Sequence, residues 1–222
     1  MKAIIYGDSI LKGILLENGK YIVSHEMEDS ISRSCGLTIL NRSRFGCTIQ
    51  KAMDRIRQDS FSRAEEKEYA VLEYGGNDCD YNWADVAARP EEDHLCRTPP
   101  PDFEARYHEA VRLIRRGGRI PVAVTLPPIL SERYLRHICR EGLSQSRILR
   151  WLGDVDAISR WQASYSDMIR RMAAEERIYL IDLRSAFLHS SCRTEDLLCE
   201  DGIHPSRLGQ SLIADTVLAC LT

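Results

Sequence analysis

Residues Ile4–Ile10 read IIYGDSI: two isoleucines and a tyrosine, then Gly7, Asp8 and Ser9. With Ala3 the apolar run is too short for a helix, and Gly and Asp end it abruptly, so it reads as a strand entering a polar turn. The fold depends on whether that unit recurs. It does: Leu37–Leu40, Ala70–Tyr74 (AVLEY), Ile120–Leu126 (IPVAVTL) and Ile178–Ile181 (IYLI) are further short apolar runs.

Amphipathic patterns fill the intervals. Ile49, Ala52, Met53 and Ile56 share one helical face, as do Phe103, Tyr107, Ala110, Val111 and Ile114. Ile158, Trp161, Tyr165, Met168, Ile169 and Met172 follow a period of 3.6, and a closing helix begins after His204-Pro205. Strands alternating with helices imply βαβ crossovers, hence an α/β fold of three layers, α/β/α, around a parallel sheet of about five strands. No linker or repeat interrupts residues 1–222, so one domain is expected. Two stretches break the rhythm, at about 79–101 and 128–155. Both follow strands, and long insertions at that edge of a sheet usually wall a site.

Composition narrows the function. Hydrophobic residues at 44% and charged residues at 28% describe a globular chain with ample core, and a net charge of −3 carries no footprint of nucleic acid or membrane binding. Arg133, Arg136 and Arg140 fall at helical spacing, with Arg147 and Arg150 beyond, and are expected on a solvated face. The eight cysteines show neither C-x-x-C nor zinc spacing, so no metal site is expected and reduced thiols fit best. Ala3–Tyr6 is shorter than the ~7–15 apolar residues of an export signal, and no run approaches the ~18 of a membrane span. A cytoplasmic location without stable membrane association is the expectation.

Polar, glycine-rich turns follow the strands: Gly7-Asp8-Ser9, then NRSRFG reaching Gly46, then GGND (Gly75–Asp78). DGIHPS (Asp201–Ser206) precedes the closing helix. Parallel sheets bind ligands beyond the carboxyl ends of their strands. A serine hydroxyl becomes a nucleophile when a histidine takes its proton and a carboxylate fixes the histidine's tautomer. Asp201 and His204, three apart in one turn, suit the latter pair, and Ser9 belongs to the same sheet edge. The backbone N–H groups of Ser9 and Gly46 and the side-chain amide of Asn77 are candidate donors to a developing oxyanion. Singly, each motif also reads as a turn or a helix cap; their joint order is what points to chemistry.

In those four blocks the chain resembles the SGNH, or GDSL, hydrolase superfamily. Ser9 in GDS, Gly46, Asn77 in GGND, and Asp201 with His204 in DGIHP match its hallmark positions, from about residue 3 to the C-terminus. Two departures stand out: Ile10 replaces the motif's leucine, and Ser43 stands where the second block often has a first glycine. The resemblance implies a flavodoxin-like fold and hydrolysis of esters or thioesters without metal or cofactor. It makes Ser9 the nucleophile, His204 the base and Asp201 its orienter, with Ser9, Gly46 and Asn77 lining the oxyanion hole. Asp8 and Asp78 are read as braces of their turns.

The expected substrate is a small-molecule ester, with short-acyl or acetyl esters of carbohydrates or metabolites ahead of lysophospholipids and acyl thioesters. Tyr81 and Trp83, just after GGND, are candidate substrate-binding aromatics. The competing class is a catalytically silent ligand-binding module on the same fold.

Overall fold

A computed structural model describes residues 1–221. Strands β1 (Lys2–Gly7), β4 (Thr38–Asn41), β5 (Glu68–Glu73), β6 (Ile120–Val124) and β7 (Tyr179–Ile181) form one parallel sheet in the order β4-β1-β5-β6-β7. The five predicted strands are all present, displaced by one or two residues at their ends.

Alternation within each strand explains the three layers. In β1, Ile4 and Tyr6 face one core, while Ala3 and Ile5 face the other. Helices α2 (Ile49–Asp59), α4 (Pro100–Arg116) and α7 (Ala157–Glu176) cover the first face; their predicted apolar stripes supply Ile56, Phe103, Tyr107 and Ile169, all buried. Helices α1 (Glu26–Cys35), α8 (Leu183–Leu188), α9 (Thr194–Leu197) and α10 (Arg207–Ala219) contribute to the second core. Side chains that alternate across a pleat give each face its own apolar set.

The long segments build a third apolar cluster. Helix α3 (Trp83–Ala88) lies in the first, and α5 (Ser131–Cys139) and α6 (Gln145–Leu152) in the second. Trp83, Val86, Leu135 and Ile148 pack together there with Ile158 of α7. The arginines of the second segment are not all on a solvated face. Arg133 donates to the carbonyls of Glu195 and Leu198, and Arg147 to those of Ala87 and Ala88. Arg136 and Arg150 pair at the surface with Glu132 and Glu91. Guanidinium forks that meet main-chain carbonyls act here as staples between loops.

One element lies outside the alternation read from sequence: an antiparallel hairpin of β2 (Ile14–Glu17) and β3 (Lys20–Val23). Asn18 and Gly19 form its turn with φ of 50° and 72°, the left-handed pair that a two-residue hairpin favours. The hairpin is tied down along β2: Ile14 N–H donates to the Ser9 carbonyl and Leu16 N–H to Cys199 Sγ.

Candidate active site

The register of the sheet sets the site. Gly7 pairs with Glu73 and Ile5 with Asn41, so the turns after β1, β4 and β5 leave the sheet side by side. After β1, Asp8 Oδ1 accepts the Ile10 N–H at 2.9 Å, a local turn that holds the loop in which Ser9 follows. The loop after β4 is laced to β1 through Arg42 N–H to the Ile5 carbonyl and Arg44 N–H to the Gly7 carbonyl. Ser43, in place of the motif's glycine, is buried in that loop. Asp78, as expected of a brace, accepts the N–H groups of Ile49 and Gly75, joining the start of α2 to the turn after β5.

Asp201 and His204 come from the turn before α10. Asp201 Oδ1 accepts the backbone N–H groups of Ile203 and His204, both at 3.1 Å, and Cys199 N–H donates to the His204 carbonyl. The second long segment presses on this turn, with Leu130 N–H donating to the Gly202 carbonyl at 2.8 Å.

The structure brings Ser9, His204 and Asp201 together. His204 Nδ1 lies 2.6 Å from Asp201 Oδ2 and His204 Nε2 lies 2.9 Å from Ser9 Oγ. A carboxylate can only accept, so Nδ1 carries the proton and donates. In a neutral imidazole Nε2 is then the acceptor, and Ser9 Oγ–H points at it. Asp201 is fully buried. Burial alone would raise its pKa, but His204 and the two backbone donors outweigh it and hold the carboxyl below its ordinary value.

Gly46 and Asn77 border the same cleft as Ser9. Among the described residues, the N–H groups of Ser9 and Gly46 have no intramolecular acceptor. Asn77 Nδ2 gives one hydrogen to Asp8 Oδ2 at 2.8 Å, which leaves its second for another acceptor. Behind these groups sits a buried carboxyl pair: Asp8 N–H donates to Glu73 Oε2 at 3.1 Å, and neither side chain reaches solvent. Burial and the proximity of Asp8 push Glu73 well above the usual carboxylate range, and burial raises Asp8 as well.

The cleft beyond Ser9 has a volume of about 840 Å³. Tyr81 and Trp83 both border it, and Trp151, Trp161 and Tyr134 extend them into an aromatic wall. Tyr81 meets Trp151 edge-on at 4.9 Å and Trp83 at 5.6 Å. Trp83 is 8% exposed, and its indole N–H is given to Asp80. Tyr81 is therefore the more available of the two. Among the arginines of the second segment, Arg140 borders the cleft.

Sequence reasoning missed three residues here. Tyr21 on β3, Phe45 before Gly46, and His137 on α5 gather around His204, with Phe45 stacked on its ring at 5.8 Å. Asn18-Gly19 between two apolar runs was the available signal for the hairpin that carries Tyr21.

Over residues 5–212 the sequence matches the model of the GDSL-like lipase/acylhydrolase family. The chain belongs to that family. Membership supports ester hydrolysis as the class of reaction. The GDSL-like chain also matches solved structures along nearly its whole length. A lipase/acylhydrolase from Enterococcus faecalis is 18% identical, with a TM-score of 0.65 over 98% of this chain and 93% of that one. A lipolytic protein of the G-D-S-L family from Veillonella parvula is 16% identical, with a TM-score of 0.66 over 98% and 96%. An alpha/beta hydrolase enzyme from the metagenome of Lake Arreo, Spain, is 22% identical, with a TM-score of 0.66 over 99% and 94%. At these identities the likeness speaks for the fold. No curated protein matches. Among the described residues no helix is long and apolar enough to cross a membrane.

Proposed function

We propose that this GDSL-like protein hydrolyses carboxylic esters through an acyl-enzyme. Ser9 Oγ attacks the carbonyl carbon, while His204 Nε2 takes the hydroxyl proton and returns it to the leaving alcohol. Water then attacks the acyl-enzyme with His204 again as base, and Ser9 is released. Asp201 holds the Nδ1–H tautomer and stabilises the imidazolium formed in each half-reaction. The N–H groups of Ser9 and Gly46 and the free hydrogen of Asn77 receive the oxyanion. The reading rests on one observation above all: Ser9 Oγ stands 2.9 Å from a histidine whose other nitrogen is 2.6 Å from a buried carboxylate.

The substrate we favour is a short-acyl or acetyl ester of a carbohydrate or small metabolite, its alcohol half against Tyr81 and the tryptophans. The size and aromatic lining of the cleft favour a second reading, in which a longer acyl chain takes that wall, as for a lysophospholipid or acyl thioester. We place the enzyme in a reducing compartment such as the cytoplasm, in keeping with eight free thiols.

Ser9→Ala tests the chemistry. Its hydrolysis of p-nitrophenyl esters is expected to fall to background with the fold retained; full activity in that variant contradicts the assignment. Acetyl through octanoyl esters, crossed with acetylated sugars and acyl thioesters, separate the two substrate readings. The first predicts the fastest turnover on acetyl esters, the second on the longer chains.

A further inference from the structure

Asp201 Oδ2, the oxygen that accepts from His204, has a second neighbour. Tyr21 Oη lies 3.3 Å from it and 3.0 Å from His137 Nε2. Tyr21 is held in place by the hairpin's ties to the Ser9 carbonyl and to Cys199, and its ring meets the His204 ring edge-on at 5.1 Å. These contacts come from two segments, the hairpin and α5, that are separate from the turns carrying Ser9, Asp201 and His204.

Proton bookkeeping gives the contacts a direction. The Tyr21 hydroxyl has one hydrogen, and a carboxylate can only accept, so that hydrogen goes to Asp201. His137 must then donate to Tyr21 Oη through Nε2–H. Its Nδ1 is left as an acceptor; Arg140 Nη1 lies over this edge of the ring, 3.0 Å from Nδ1 and 2.9 Å from Nε2.

We propose that Tyr21, aimed by His137, is a positioning residue that sets the basicity of the Asp201–His204 pair. This rests on the reading that Ser9, His204 and Asp201 perform the hydrolysis. The chain of donors runs from His137 Nε2–H through Tyr21 Oη–H to Asp201 Oδ2, which meets the His204 Nδ1–H from the other side. Each donor to the carboxylate spreads its charge and weakens its pull on the Nδ1 proton. Removing the Tyr21 hydroxyl leaves Oδ2 to His204 alone, so the imidazolium is held more tightly and His204 surrenders its activating role at a higher pH.

Among the other charged or titratable groups, Asp8 faces His204 and Cys199 faces Asp201, while Arg140 faces Tyr21 and His137 and Glu141 faces His137. Burial and the Arg140 guanidinium lower the pKa of His137, and burial and Asp201 raise that of Tyr21, so both are neutral donors near neutrality. Tyr21→Phe leaves all of these groups in place.

The test is the acidic limb of kcat/KM against pH for p-nitrophenyl butyrate, measured on the full chain with Ser9 reactivity followed by a fluorophosphonate probe. In Tyr21→Phe the limb is expected to move up by about 0.5–1 pH unit, a three- to tenfold loss at a pH on the limb, with KM little changed. His137→Leu should move it the same way, and His137→Gln less, because its amide still offers a donor near the Nε2 position. A limb that stays put in Tyr21→Phe, while Ser9 still reacts with the probe, overturns the proposal and leaves the hydrolase reading standing. Failure of Ser9 to react in the unmodified protein instead overturns that reading, and the proposal with it.

Discussion

Asn77 donates a side-chain hydrogen to Asp8 Oδ2 at 2.8 Å, so the residue before Ser9 in the GDS turn aims the amide of the GGND turn. The same carboxylate holds Ile10 N–H on its other oxygen. Asp8 thus sets the mutual position of two of the three candidate oxyanion donors. Removing one such donor costs about 10²–10³ in kcat, so Asn77→Ala is expected to lose that much with KM little altered. Asp8→Ala keeps the amide but frees it, and should lose less. Steady-state kinetics on one p-nitrophenyl ester measures both.

Asp201→Asn keeps the shape of the buried side chain and removes the obligatory acceptor. The His204 tautomer is then no longer fixed with its proton on Nδ1. A loss of about 10³–10⁴ in kcat is expected with the fold retained. An activity within tenfold of the parent would mean that Asp201 does not orient the base.

Two glycines with similar backbone angles should respond differently to the same substitution. Gly46 has φ of +67° with open space where a Cβ would stand, so Gly46→Ala should cost only backbone strain, about 1 kcal/mol. Gly202, at +76°, would put a Cβ 2.7 Å from the Leu130 carbonyl oxygen and from Arg133 Cβ. Gly202→Ala must therefore displace the second long segment from the Asp201–His204 turn, at a cost greater than that of Gly46→Ala. Urea unfolding of the two variants compares them directly.

The buried carboxyls predict how stability depends on pH. Burial pushes Asp78 up to about 7, and Glu73 lies well above its ordinary range. Groups raised on folding hold protons that the unfolded chain releases, so their contribution is full in acid and is lost as pH rises from the ordinary carboxylate range through the folded values. Asp182 has the opposite sign: burial opposes ionisation, but Arg170 and the donors from Ser185 and Thr125 hold it at about 2, so its contribution is lost as pH falls from the ordinary range toward that value. Stability should therefore peak in mild acid. Glu73→Gln keeps an acceptor for the Asp8 N–H and removes one ionisation, so its decline from pH 5 to pH 8 should be shallower than the parent's. Urea midpoints at the two pH values are the measurement.

Much of this architecture was legible because the relevant signals are local. AVLEY and IPVAVTL are strand-length apolar runs, and the stripe from Ile158 to Met172 is a helical face whatever it packs on. Ser9, Gly46, Asn77, Asp201 and His204 each follow a run or precede a helix, so the topology alone brings them to one edge. The residues that escaped detection act through contacts made only in the folded chain. Tyr21 depends on a hairpin signalled by Asn18-Gly19, and His137 looks like any polar residue on a short helix. Glu73 interrupts an apolar strand with no hint that Asp8 would be its neighbour. Trp83 borders the cleft but gives its indole N–H to Asp80 and meets Tyr81 and Trp151 edge-on, contacts that no sequence pattern displays. Of the arginines spaced along one predicted face, Arg133 left the solvent because main-chain carbonyls of another loop captured it.

The central claim is that Ser9 is the attacking group, and covalent capture tests it most directly. Treated with a fluorophosphonate and digested, the protein should yield one modified peptide, that of residues flanking Ser9, with ester hydrolysis lost in step with labelling. Hydrolysis that persists while the Ser9 peptide stays unmodified, or labelling at another serine that alone tracks the loss of activity, would contradict the account.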